Sequence, residues 1–163
     1  MPRTSSLKPI TKQEIQWKNK LPKNRSEEFH HSRGYVREAL SLIFDIPELK
    51  IPLLAPPSQP PLLPPGMGIV SFSHCIDGLF IGWSSNNIGV DIERFDRHLN
   101  PARIINNYFS YKERKIITSL EKEELVPGFL SYWVRKEAAL KFFRGNIFKD
   151  LSNLEYLNKS NKI

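Results

Sequence analysis

The sequence has one cysteine, Cys75, in 163 residues. A single thiol closes no internal disulfide, and no cysteine and histidine cluster has zinc-finger spacing, so a disulfide scaffold and a structural zinc module are both excluded. No apolar run approaches the about 18 residues of a membrane-spanning helix. The opening Met1-Pro2-Arg3-Thr4-Ser5-Ser6-Leu7-Lys8 lacks a hydrophobic signal segment. The expectation is a cytoplasmic protein that neither spans a membrane nor is exported. Tandem repeats are not evident, and the only low-complexity stretch is a proline cluster.

What is present is positive charge: 24 Lys+Arg against 17 Asp+Glu, a net +7. Such a surplus suits an anionic partner. Residues 1–50 carry 10 basic and 6 acidic side chains, 51–100 carry 2 and 4, and 101–163 carry 12 and 7, so two basic segments flank a mildly acidic centre. The length suits one domain with a real core.

Thr11-Lys12-Gln13-Glu14 has the form of a capping box opening a short helix that Pro22 stops. Phe29, Tyr35/Val36, Ala39/Leu40 and Ile43 recur at helical spacing and predict a second helix over 26–44, ended by Pro47. Seven prolines fall in positions 52–65 and enforce an extended connection. Three short strands are then expected, at 69–73, 79–84 and 88–93, separated by Asp77-Gly78 and Ser85-Asn86-Asn87. Asn100-Pro101 and Ser110 each suit a helix start, the second helix running to about Leu120. Pro127-Gly128 precedes a strongly helical stretch, 129–143, closed by Gly145. Helices on either side of a small antiparallel sheet make the class α+β.

In Ile88-Gly89-Val90-Asp91-Ile92-Glu93 a strand would place Asp91 and Glu93 side by side on the face opposite the core. Two neighbouring carboxylates are either solvated or bridged by a hard divalent cation, and spacing alone leaves both readings open. On the helix 129–143, with Trp133 at zero, Glu137 falls at about 40° and Lys141 at about 80°, close to Leu130 and Val134. Within that apolar stripe Glu137 would need a cation or donors, whereas on a wet face the two form an ordinary i,i+4 pair. Ser73-His74 ends the first strand where a hydroxyl and an imidazole could meet a phosphate, or where a histidine simply packs. Arg25, Arg33 and Arg37, like Lys112, Arg114 and Lys115, form basic helix faces without specificity for nucleic acid.

Phe72-Ser73-His74, Ile88-Gly89-Val90-Asp91-Ile92-Glu93 and Tyr132-Trp133-Val134-Arg135-Lys136-Glu137-Ala138-Ala139-Leu140-Lys141 together resemble the ordered motifs of the 4′-phosphopantetheinyl transferase superfamily, in its larger, pseudo-twofold class. Ser32-Arg33-Gly34-Tyr35-Val36-Arg37 is similar to that family's first arginine-bearing helix. The resemblance implies two related αβ halves with antiparallel sheets, about 25–93 and 101–157, with a site in the cleft between them. It implies transfer of the 4′-phosphopantetheine arm of coenzyme A to a serine of an acyl or peptidyl carrier protein, with Mg²⁺ and with release of adenosine 3′,5′-bisphosphate. By motif, Asp91, Glu93 and Glu137 would be metal ligands. Glu137 would also help deprotonate the serine, and Lys141 would stabilise the leaving phosphate. Lys136, Ser73 and His74 would contact the coenzyme A phosphates, with Arg33 and Arg25 reaching the 3′-phosphate. Lys112, Arg114 and Lys115 would meet the carrier, and a monomer is expected. The pattern departs at Ser58-Gln59-Pro60, where the family's Gly-Lys-Pro-like loop would supply a lysine. The rival readings are an inactive relative that binds coenzyme A or carrier, and a small basic nucleic-acid binder.

Overall fold

A computed structural model describes residues 7–96, 100–145, 150–152 and 154. The chain divides into two compact units, Met1–Ile88 and Gly89–Ile163. Among the described residues it is α+β, with five α-helices, a short 3-10 turn and a two-stranded antiparallel sheet.

In the first unit the expected capping box opens α1, Lys12–Lys18: Glu14 donates its backbone N–H to the Thr11 hydroxyl, and the Glu14 carboxylate accepts from the Thr11 backbone. Helix α2, Lys23–Phe44, starts three residues earlier than the apolar period suggests, because Pro22 serves as its N-cap residue. Asp45, in the left-handed region at φ 53°, ends it before Pro47 is reached. One face of α2 carries Val36 and Leu40 into a core with Ile51, Leu53, Ala55 and Val70. The proline stretch is extended as expected, and its two arms touch through a bridge between Leu54 and Leu62.

Arg37 connects these pieces. Its side chain is 2% exposed, and its guanidinium donates to Glu14 Oε2 at 2.8 Å and to the carbonyls of Glu48, Ile51 and Leu53. One planar fork thus holds α1, the turn Glu48–Lys50 and the start of the extended arm on α2. Strands β1, Ile69–Cys75, and β2, Gly78–Ser84, form a hairpin in which Cys75 pairs with Gly78 across an Ile76-Asp77 turn.

The third strand expected at 88–93 is not formed. These residues are irregular and take no ladder partner. Gly89 lies so close to α5 (Lys122–Phe143) that a β-carbon there would overlap the backbone of Ala138 and Phe142. The segment therefore docks on a helix, where alternation of side chains between two sheet faces no longer applies.

The second unit is otherwise helical. Asn100 caps α3, Pro101–Tyr108, and a second complete capping box, Ser110 with Glu113, opens α4, Tyr111–Thr118. Helix α5 begins at Lys122, well before the expected Phe129. Pro127 lies inside it, in its second turn, and Gly128 lets Leu120 approach where a side chain would collide. The helix is ended by left-handed Arg144, with Gly145 donating back to the Leu140 carbonyl, so the stop is one residue ahead of the expected glycine. Ile105, Phe109, Ile117, Phe129, Leu130, Trp133 and Leu140 form the core. Its aromatic centre stacks Phe109 and Phe129 against Trp133, with centroids 6.4 and 6.3 Å away.

Candidate functional site

The second unit brings one acid and one base of the expected site together. Lys141 donates to Asp91 Oδ1 at 2.7 Å and to the Val90 carbonyl at 3.1 Å. Asp91 is 6% exposed at its side chain and Lys141 30%. Local sequence dictates this contact. Gly89 permits the close approach to α5, Val90 turns inward as part of the buried interior, and the next residue meets the last turn of the helix. Two oxygens, one carboxylate and one carbonyl, thus converge on a single positively charged atom.

Glu137 stands one turn before Lys141 on α5 and is half-buried, as is Glu93. Among the described residues no three His, Cys, Asp or Glu side chains are grouped so as to hold a metal ion. The donor chemistry of Asp91 and Val90 does fit a hard cation, since an ammonium already occupies that position.

Lys136 is 1% exposed, donates to Glu113 Oε2 at 2.8 Å and to the Leu154 carbonyl, and lies 5.3 Å from the Phe109 ring centroid. Its charge is paired inside the unit. The buried face of α5 runs through Phe129, Tyr132, Trp133, Lys136 and Leu140. Glu137 and Lys141 therefore border the apolar stripe and do not lie within it.

Sequence reasoning missed Glu113 altogether, although its signal is present. The capping-box acid Glu14 pairs with Arg37, and the capping-box acid Glu113 pairs with Lys136, each across a separation of 23 residues.

The expected anion contacts of the first unit are spread over α2 and β1. The Arg33 guanidinium lies between the rings of Phe29 and Phe72, 4.4 and 4.7 Å from their centroids, and donates to the Ala55 carbonyl and the Ser32 hydroxyl. Burial pushes its pKa down to about 10. Arg25 is exposed in the first turns of α2. Ser73 and His74 are neighbours in β1 and so project to opposite faces: the hydroxyl is buried, while the exposed imidazole stands 3.5 Å from Glu28. The structure does not bring these two side chains to one point.

Residues 87–162 match the family model of the 4′-phosphopantetheinyl transferase superfamily. Over these residues, just under half of the chain, the sequence is similar to that superfamily. Among curated proteins none matches the chain. The superfamily match spans Gly89, Asp91, Glu93 and the whole of α5, and thus includes the Asp91–Lys141 pair. Phosphopantetheinyl transfer is the general chemistry of this superfamily.

Proposed function

We propose that the chain transfers the 4′-phosphopantetheine arm of coenzyme A to a serine of an acyl or peptidyl carrier protein, as a monomer in the cytosol. In this reaction the serine oxygen bonds to the phosphorus that bears the pantetheine arm. The bond from that phosphorus to the bridging oxygen of the diphosphate breaks, and adenosine 3′,5′-bisphosphate leaves. The single observation behind the reading is that the superfamily match covers the segment in which Asp91 and Lys141 meet.

Glu137 accepts the proton of the attacking serine, and Lys141 neutralises charge on the leaving phosphate. Asp91, with Glu93 and Glu137, would hold Mg²⁺, which supplies further neutralisation of the phosphoryl oxygens when bound. Arg33, Arg25, Ser73 and His74 are assigned to the coenzyme. Lys136 serves instead as a positioning residue, holding α4 and α5 in register through Glu113. The paired 22-residue helices, the two capping boxes and the two buried acid–base pairs support two related halves.

The test is to incubate the protein with coenzyme A, Mg²⁺ and an apo-carrier, then weigh the carrier. A mass gain of one phosphopantetheine group is expected. An unshifted carrier with a well-folded sample that still retains coenzyme A rejects transfer in favour of an inactive binding relative. Retention of DNA or RNA that salt reverses, without coenzyme A binding, would favour a nucleic-acid binder.

A further inference from the structure

The arrangement at Asp91 carries a consequence for how a metal ion would enter. A carboxylate that is 6% exposed is costly to leave unpaired, and here its charge is met by an ammonium from the chain itself. That ammonium bonds to Asp91 Oδ1 and the Val90 carbonyl together, which are oxygens of the kind that ligate hard divalent cations. Two cations cannot share the same carboxylate oxygen without strong repulsion. The lysine stem is flexible, and Lys141 is nearly one-third exposed, so the ammonium can withdraw toward water. Asp91 and Val90 follow directly on Gly89, which is fixed against α5 by a close backbone approach and does not depend on Lys141.

We propose that Lys141 is the resident cation of the Asp91 site and that a divalent ion enters by exchange with it. Lys141 thereby sets the metal affinity of the coenzyme-free protein, and metal entry frees its ammonium for the reaction. The inference rests on the reading of Asp91 as a metal ligand.

The test is a titration of the full chain with Mn²⁺ alone, free Mn²⁺ being followed by electron paramagnetic resonance and folding by circular dichroism. Lys141→Gln removes the competing charge and is expected to bind Mn²⁺ about tenfold more tightly than the wild type. Asp91→Asn is expected to abolish binding in both backgrounds. Equal or weaker binding by Lys141→Gln, with Asp91→Asn still abolishing it, overturns the exchange and leaves Asp91 as a ligand. Binding that ignores Asp91→Asn, or no binding by either the wild type or Lys141→Gln, overturns the ligand reading and the exchange with it. A second measurement uses the wild type alone. The side-chain ammonium resonance of Lys141, assigned by its loss in the variant, is expected to be protected from solvent exchange without metal and to lose that protection on adding Mg²⁺. Protection unchanged at saturating Mg²⁺ overturns the proposal independently of how the variants fold.

Discussion

At the scale of single residues, the sharpest distinction is between Lys136 and its neighbour Glu137. Lys136 at 1% exposure and Glu113 at 0% form a buried pair, and removing one partner leaves the other as an unpaired charge inside the unit. Lys136→Met is therefore expected to cost about 3–5 kcal/mol, read as a lower urea midpoint with an unchanged slope. Glu113→Gln in the same background should restore part of the loss, because the orphaned charge is then gone. A loss under about 1 kcal/mol would return Lys136 to the list of coenzyme contacts. Glu137→Gln has the opposite expectation: its half-buried side chain keeps its volume but loses charge, so turnover should fall by about 100-fold or more with little change in the urea midpoint. His30 gives the pH dependence. Its pKa is lowered, first by burial and then by the neighbouring Lys18 charge, although a bond to the Lys8 carbonyl opposes this. Lys18 Nζ donates to Nδ1, and Nε2 donates to the Lys8 carbonyl, so the neutral ring fits both bonds. The unfolded chain binds this proton more readily than the folded one, so stability should decline as pH falls below about 6.5. His30→Gln should flatten that part of a urea-midpoint profile against pH.

At the scale of elements, Gly89 decides where the segment 88–93 goes. Its hydrogen allows backbone contact with α5, and a methyl group there would collide with Ala138 and Phe142 rather than with a movable side chain. Gly89→Ala should cost about 1–3 kcal/mol by overpacking and should shift Asp91 away from α5, lowering turnover. Retained turnover would mean that the segment finds another path to the same site. The same element shows why some of the fold was legible in the sequence and some was not. The first capping box could be recognised because Thr11-x-x-Glu14 satisfies its helix end locally, and Ser110 marked a second helix start, whereas the role of Glu113 in completing a second box emerges only in the structure. The alternation of Ile88, Val90 and Ile92 satisfies a strand pattern equally well, but a tertiary contact through Gly89 overrides it. The start of α5 was hidden for a similar reason. Pro127 reads as a breaker, yet it sits near the N-terminal end of the helix, where only one ladder bond is lost, and the core residues Phe129 to Leu140 outweigh that cost.

At the scale of the whole molecule, the site residues were legible as types but not as partners. Asp91 and Lys141 are 50 residues apart, so no local period could pair them. Net charge, by contrast, is visible in composition and leads to a consequence that does not depend on such pairing. With +7 overall, and with 12 basic against 7 acidic side chains in residues 101–163, this protein should attract an acidic carrier over distances comparable to the Debye length. Helix α4 offers exposed Lys112 and Lys115, whereas Arg114 between them is partly buried. Reversing both lysines, Lys112→Glu with Lys115→Glu, should raise KM for the carrier by about tenfold and leave KM for coenzyme A unchanged, since long-range steering acts on the macromolecular partner. The wild-type carrier KM should rise with salt, and that dependence should be weaker in the double variant. An equal rise in both KM values would place the two lysines at the coenzyme instead, and no change in either would remove α4 from the carrier-docking surface.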